Sequence, residues 1–228
     1  MAARLWPTFV GNLVAFIIGL KQTKYYVHEE FVCSYSSVFH RALNGYSLES
    51  TNKTYTILDT RPEVFELFLR WLYQKTASDV SVLVLNTPEL DKSPQLEDAP
   101  ETKREEFVRN TGFIQELWIF GDKYEIPQLQ DACVDFQEGL QKRYGLILFP
   151  LEYSHTTNKF EDFIIDTCAF YCASGVSWLE AMIETATKHI LVKLIAAMGS
   201  VKGKPTAKNY YVDVCAEDCV TELRLGSH

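Results

Sequence analysis

The residues best placed to do chemistry in this 228-residue chain are its histidines (His28, His40, His155, His189, His228) and its cysteines (Cys33, Cys133, Cys168, Cys172, Cys215, Cys219). A catalytic histidine needs a nucleophile or carboxylate beside it, and the spacing supplies none for His28, which reads as a core imidazole bonded to backbone. Cys168-x-x-x-Cys172 and Cys215-x-x-x-Cys219 are the sharpest metal-like features. On a helix, residues i and i+4 share a face, so each pair could offer two thiolates to zinc. Structural zinc more often uses tighter Cys-x-x-Cys knuckles, and Cys168 and Cys172 fall in an apolar stripe, so buried thiols are the simpler reading. The acidic cluster Glu97, Asp98 and Glu101 reads as a solvated loop. No glycine-rich phosphate loop, zinc-protease motif or nucleophile elbow is present. The expectation is a protein with no catalytic residues and no cofactor.

Composition points the same way. The chain is 47% hydrophobic and 13% aromatic, enough for a well-packed core. Its net charge of −8 and the lack of any basic run argue against direct nucleic-acid binding, which needs clustered Lys and Arg. Cysteines scattered through apolar runs suit reduced thiols in a cytoplasmic or nuclear protein better than disulfides. Asn52-Lys53-Thr54 matches a glycosylation acceptor but carries no weight without a secretion signal. The apolar run from Phe9 to Leu20 is shorter than the ~20 residues a membrane span needs and leads straight into a strand pattern. It reads as a buried strand, with no membrane partner expected.

The elements that would position a site follow from periodicity. Leu13 to Ile18, closed by Gly19, reads as a strand buried on both faces, and Lys24 to Val27 as its partner across a polar turn. His28-Glu29-Glu30 opens a helix, the acidic pair suiting the positive end of its dipole. Phe31, Val32, Tyr35, Val38 and Phe39 then recur across two short helices broken near Ser36-Ser37 and stopped by Asn44-Gly45. Tyr55 to Leu58 is a further strand. Thr60-Arg61-Pro62-Glu63 reads as a capping box, so Thr60→Ala should cost about 1 kcal/mol. Phe65, Phe68, Leu69 and Leu72 form the stripe of the helix it opens. Val80 to Leu85 could be an edge strand. The stretch 86–106, with Pro88, Pro94 and Pro100, reads as a solvated loop. Phe113, Ile114, Leu117, Trp118 and Gly121 mark another helix. Ile126-Pro127 starts the next, with Leu129, Cys133, Phe136 and Leu140 on one face. After a connection from Gly145 to Tyr153 come a helix carrying Phe160, Phe163, Ile164, Thr167, Cys168 and Tyr171 and a longer one from Trp178 to Leu194. Gly199 to Lys208 reads as a polar, turn-prone loop.

Three ordered motifs resemble the BTB/POZ family, and within it the fungal-type proteins. They are Val27-His28-Glu29-Glu30-Phe31-Val32-Cys33-Ser34-Tyr35-Ser36-Ser37-Val38-Phe39, then Pro62-Glu63-Val64-Phe65-Glu66-Leu67-Phe68-Leu69-Arg70-Trp71-Leu72-Tyr73, then Leu117-Trp118-Ile119-Phe120-Gly121-Asp122-Lys123-Tyr124-Glu125-Ile126-Pro127. The resemblance implies an α+β BTB/POZ fold, a small mixed sheet flanked by a helical cluster, with a C-terminal helical extension. It places the domain at 1–145, with a long acidic insertion at 76–110, and the extension at 146–228.

The same resemblance implies a non-catalytic protein–protein interaction module. Its function would be a substrate-recruiting adaptor of a cullin-RING ubiquitin ligase or, alternatively, a scaffold or transcriptional co-regulator without a ligase; a zinc-binding protein using the C-terminal cysteines is the remaining alternative. Expected partners are proteins, including a second copy in a homodimer and a cullin. The implied partner-binding residues are Leu48, Glu49, Tyr73 and Tyr124, and the implied dimer interface is Leu13, Phe16, Phe31 and Tyr35. Two contact elements differ from the usual family pattern. Asn12 and Leu13 stand where many animal members carry an acid, and Ser47 stands two residues before Glu49 where cullin binders carry an apolar residue, with Tyr46 and Leu48 to either side.

Overall fold

A computed structural model describes residues 12–73, 101–144, 159–173, 188–201 and 203–212, with side chains described from 112 to 139 in the second of these segments and for all but His189 in the fourth. Expectations for Val80–Leu85, the 145–153 connection, the first part of the long C-terminal helix, His155, His228, Cys215 and Cys219 lie outside the described residues.

β1 (Leu13–Ile18) is the central strand of a three-stranded sheet, with β2 (Thr23–His28) antiparallel on one side and β3 (Thr54–Ile57) parallel on the other. Gly19 ends β1 with φ +70, a conformation suited to glycine, and its carbonyl accepts from Gln22 N–H at 3.0 Å to close the turn. The side chains of Val14, Phe16 and Ile18, all 0% exposed, enter the core on one face of this strand.

α1 (Glu29–Tyr35) and α2 (Ser37–Asn44) are separated by Ser36, which is 1% exposed and serves both. Its hydroxyl accepts from Phe39 N–H at 3.0 Å, capping α2, and donates to the Tyr124 carbonyl at 2.6 Å. The short α3 (Leu48–Asn52) precedes β3, and α4 (Pro62–Tyr73) follows it. α4 buries Val64, Phe65, Leu67, Phe68 and Leu72. It opens one step later than a capping box on Thr60 requires. Pro62 is its first residue, and the Arg61 carbonyl accepts from both Val64 N–H (3.1 Å) and Phe65 N–H (3.2 Å). Proline at the first helical position fixes the start, because its φ is already helical and its missing N–H is not needed there.

α5 (Glu101–Lys123) corrects the end of the loop expected at 86–106, since 101–106 are helical, while 86–100 lie outside the described residues. Glu101-Thr102-Lys103-Arg104-Glu105-Glu106 is polar but rich in strong helix formers. Once Phe113, Ile114, Leu117 and Phe120 are anchored in the core, the helix propagates back through them at little cost. α6 (Pro127–Tyr144) follows after Glu125, whose φ of +53 reverses the chain. α7 (Lys159–Ala173) buries Phe160, Phe163, Ile164 and Cys168, and its Phe160 stacks on Trp118 of α5 with centroids 6.2 Å apart. α8 (Lys188–Met198) packs against α7 through Ile190 and Leu194. A buried Glu161–Lys193 pair at 2.6 Å ties these two helices together.

The turn-prone loop expected from Gly199 to Lys208 is turn and extended chain over its described residues, and 203–212 carry one 3₁₀ turn (Ala207–Tyr210) and lie against α6 and α7 with Pro205 and Ala207 buried. The architecture is the expected α+β one, a small mixed sheet flanked by a helical cluster.

Candidate protein-interaction site

A projecting apolar surface is the corner built by α3. Gly45 ends α2 where a Cβ would meet the Arg41 carbonyl oxygen at 2.6 Å, so only glycine lets the chain fold back so tightly. Ser47 then caps α3: its hydroxyl accepts from Ser50 N–H at 3.2 Å and donates to the Ala42 carbonyl at 2.8 Å. Lys53 closes the other end in the left-handed region, φ 46. Its ammonium donates to Glu29 Oε1 at 2.6 Å and to the Leu43 carbonyl at 3.0 Å. A helix too short to be stable alone is thereby fixed to both α1 and α2.

What this frame holds out is apolar. Leu48 is 77% exposed, and Tyr46 is as open to solvent as a tyrosine can be. Glu49, partly exposed, lies in the same short helix; its own backbone N–H holds its carboxyl below the usual carboxylate range. The corner therefore presents two apolar side chains and a carboxylate that is ionised at neutral pH. Those are the ingredients for seating aromatic and aliphatic anchors in a partner's pocket while pairing with a cation.

A second apolar surface runs along α1 and the end of α4. The His28, Phe31 and Tyr73 rings meet edge-to-face, with centroids 5.4 to 5.8 Å apart. The Tyr73 hydroxyl is shared by His28, accepting from its backbone N–H at 3.1 Å and lying 2.9 Å from Nδ1. His28 is thus half-buried and engaged with a phenol, not a deeply buried core imidazole. Leu13, which is 51% exposed, is paired with His28 across the sheet, and Tyr35 packs on Trp71 at 5.0 Å. Of the expected dimer residues, Leu13, Phe31 and Tyr35 lie on this rim.

Two expected contact residues do not reach the surface. Phe16 is 0% exposed, 5.3 Å from the rings of both Phe39 and Phe65. Tyr124 is 4% exposed and stacks on Phe39 at 4.6 Å and 16°. Both occupy the aromatic centre of the core. Burial raises the Tyr124 phenol well above its ordinary range, so it stays neutral. Next to Tyr124, Glu125 joins the Ser37 hydroxyl and the Arg41 guanidinium, locking the end of α5 onto α2.

The described cysteines offer little chemistry. Burial pushes the Cys33 thiol up to about 11, with Glu29 adding to it, and raises Cys168 and Cys172 as well. Cys168 points into the core at 1% exposure, and no three possible ligands converge among the described residues. Nor, among the described residues, is any helix long and apolar enough to cross a membrane.

Tyr46 and Tyr26, the latter 62% exposed on the outer sheet face, were not singled out by periodicity. The available signal for Tyr46 was its place between a helix-stopping glycine and a helix-capping serine, where no stripe claims it.

Residues 11–92 match the family model of the BTB/POZ domain. The match runs from the first strand through α4 and supports the family resemblance and a role in protein–protein interaction. No curated protein matches the chain.

Proposed function

We propose that this chain is a non-catalytic BTB/POZ interaction module of the fungal type that brings a bound protein to a cullin-based ubiquitin ligase, working in the cytoplasm or nucleus. The observation that carries the proposal is the α3 corner, where Tyr46 and Leu48 project beside an ionised Glu49 on a frame tied to α1 and α2. Interfaces draw most of their affinity from a few such anchors, and a pre-ordered frame lowers the entropic cost of using them. The rim of Leu13, Phe31, Tyr35 and Tyr73 supplies a separate surface for self-association. The net charge of −8 supports protein partners over nucleic acid.

The test is capture of a purified cullin by the chain. Wild type should retain it and Glu49→Lys should release it; equal retention by both, or none by wild type, removes the adaptor role. Ser47 favours the second reading, a scaffold or co-regulator without a ligase. It occupies the place of the apolar residue in cullin binders and spends its hydroxyl on capping α3. Absence of any cullin contact together with a stable set of other partners would support it.

A further inference from the structure

The segment 203–212, Gly-Lys-Pro-Thr-Ala-Lys-Asn-Tyr-Tyr-Val, is bound to the rest of the chain as a peptide is bound to a receptor. Asp131, Asp135 and Glu138 recur along one side of α6, and Asp166 faces them from α7. Each takes a hydrogen bond from the segment. Asp135 Oδ1 accepts from the Tyr211 hydroxyl and Asp166 Oδ2 from the Tyr210 hydroxyl, both at 2.5 Å. Asp131 Oδ1 accepts from Val212 N–H at 2.8 Å, and Glu138 Oε1 from Ala207 N–H at 3.3 Å. Lys159 donates to the Tyr211 carbonyl, Tyr210 packs edge-on against Phe163 at 5.1 Å, and Pro205 and Ala207 fill the groove below. Burial first, and then the facing carboxylates, raise both phenols far above their ordinary range, so each keeps the proton it donates.

The charges are complementary. The groove offers four carboxylates against the one ammonium of Lys159, whereas the segment carries Lys204 and Lys208 and no acid. Nothing in this recognition depends on the peptide belonging to the same chain, because it is made of phenol, backbone N–H and small apolar contacts. Five of the segment's ten residues are exposed and three half-buried, so it is held at a few points, the carboxylate bonds and the buried Pro205 and Ala207, and can open locally before the core does.

We propose that the α6/α7 groove is a docking site for an extended, basic, tyrosine-bearing segment of a partner protein, and that residues 203–212 fill it as an internal pseudo-ligand which the partner displaces. In this arrangement the chain's own tail sets the threshold for binding, since a tethered ligand competes at a high effective concentration.

The experiment titrates a fluorescently labelled synthetic peptide of residues 203–212 into the full chain, into the full chain bearing Tyr210→Ala and Tyr211→Ala, and into the same double variant with Asp135→Asn and Asp166→Asn added. The double variant should bind the peptide about tenfold or more tightly than wild type, and the added aspartate changes should abolish that gain, because hydrogen bonds to charged groups are among the stronger ones. Should the double alanine variant fail to fold, as judged by its thermal melt, Tyr211→Phe replaces it, with the same ordering expected at smaller amplitude. No binding by a folded variant, or binding indifferent to the aspartates, overturns the proposal. So does concentration-dependent dimerisation of wild type that Asp135→Asn abolishes, because the occupant would then be the segment of a second copy.

Discussion

The aromatic centre and the 203–212 segment hold the chain in opposite ways. Around Phe39, the rings of Phe16, Tyr55, Phe120 and Tyr124 lie 4.6 to 6.4 Å away in edge-on, tilted and stacked contacts. This packing does not depend on any one hydrogen bond and gains from the area it removes from water. The 203–212 segment leaves half of its residues exposed and is positioned by carboxylates that read its phenols and backbone. The first arrangement makes a frame that stays fixed. The second makes a contact that can be exchanged. A protein that works by holding surfaces out to partners needs both.

The comparison can be broken from its strong side first. Phe39→Ala should remove about 3–5 kcal/mol of stability, as large aromatic deletions in cores do, and denaturant unfolding would measure it. A loss under about 1 kcal/mol would mean that the rings are not packed as described. Next in size is Ser36→Ala, which deletes the cap of α2 and strands the Tyr124 carbonyl in a buried place. It should cost about 2 kcal/mol in the same assay.

On the weak side, Tyr211→Phe should cost about 1 kcal/mol. The loss should be local, read as faster amide exchange across 203–212 with the β1 and α4 amides unchanged. Alkali acts in the same direction. The Tyr210 and Tyr211 phenols are raised in the folded state, so their contribution is complete below the ordinary tyrosine pKa of about 10 and is lost as pH climbs through their raised values. Smallest of all, Thr60→Ala should cost less than about 0.5 kcal/mol, because α4 begins at Pro62 and the Arg61 carbonyl takes its first bonds.

The two regions also differ in how much of them can be read from the sequence. The core declared itself through periodicity, because Phe65, Phe68 and Leu72 recur on one face and Leu13 to Ile18 has the continuous apolar pattern of a central strand. Tyr124 did not, since Asp-Lys-Tyr-Glu looks like a surface turn. The approach of Phe39 from α2 and Tyr55 from β3, with Phe120 beside it, makes it a core residue. The 203–212 segment was illegible for a related reason. Its partners on α6 lie 69 to 81 residues earlier in the chain, and carboxylates on a helix give no sign of whether they face water or a peptide. The exposed corner at Tyr46 and Leu48 was half legible. The Ser47 cap and the Gly45 stop are local signals, but the outward aim of both side chains depends on the ties from Lys53 to Glu29 and Leu43.

The α3 corner, with Tyr46 and Leu48 exposed, is the proposed place of contact with partners. Proximity labelling in cells with wild type and with a Tyr46→Ala, Leu48→Asp variant tests it most directly, because both side chains project into solvent and their replacement should leave the fold intact. The account predicts that the variant, at equal abundance, loses a distinct subset of labelled proteins that includes a cullin. An unchanged set of labelled proteins would contradict it.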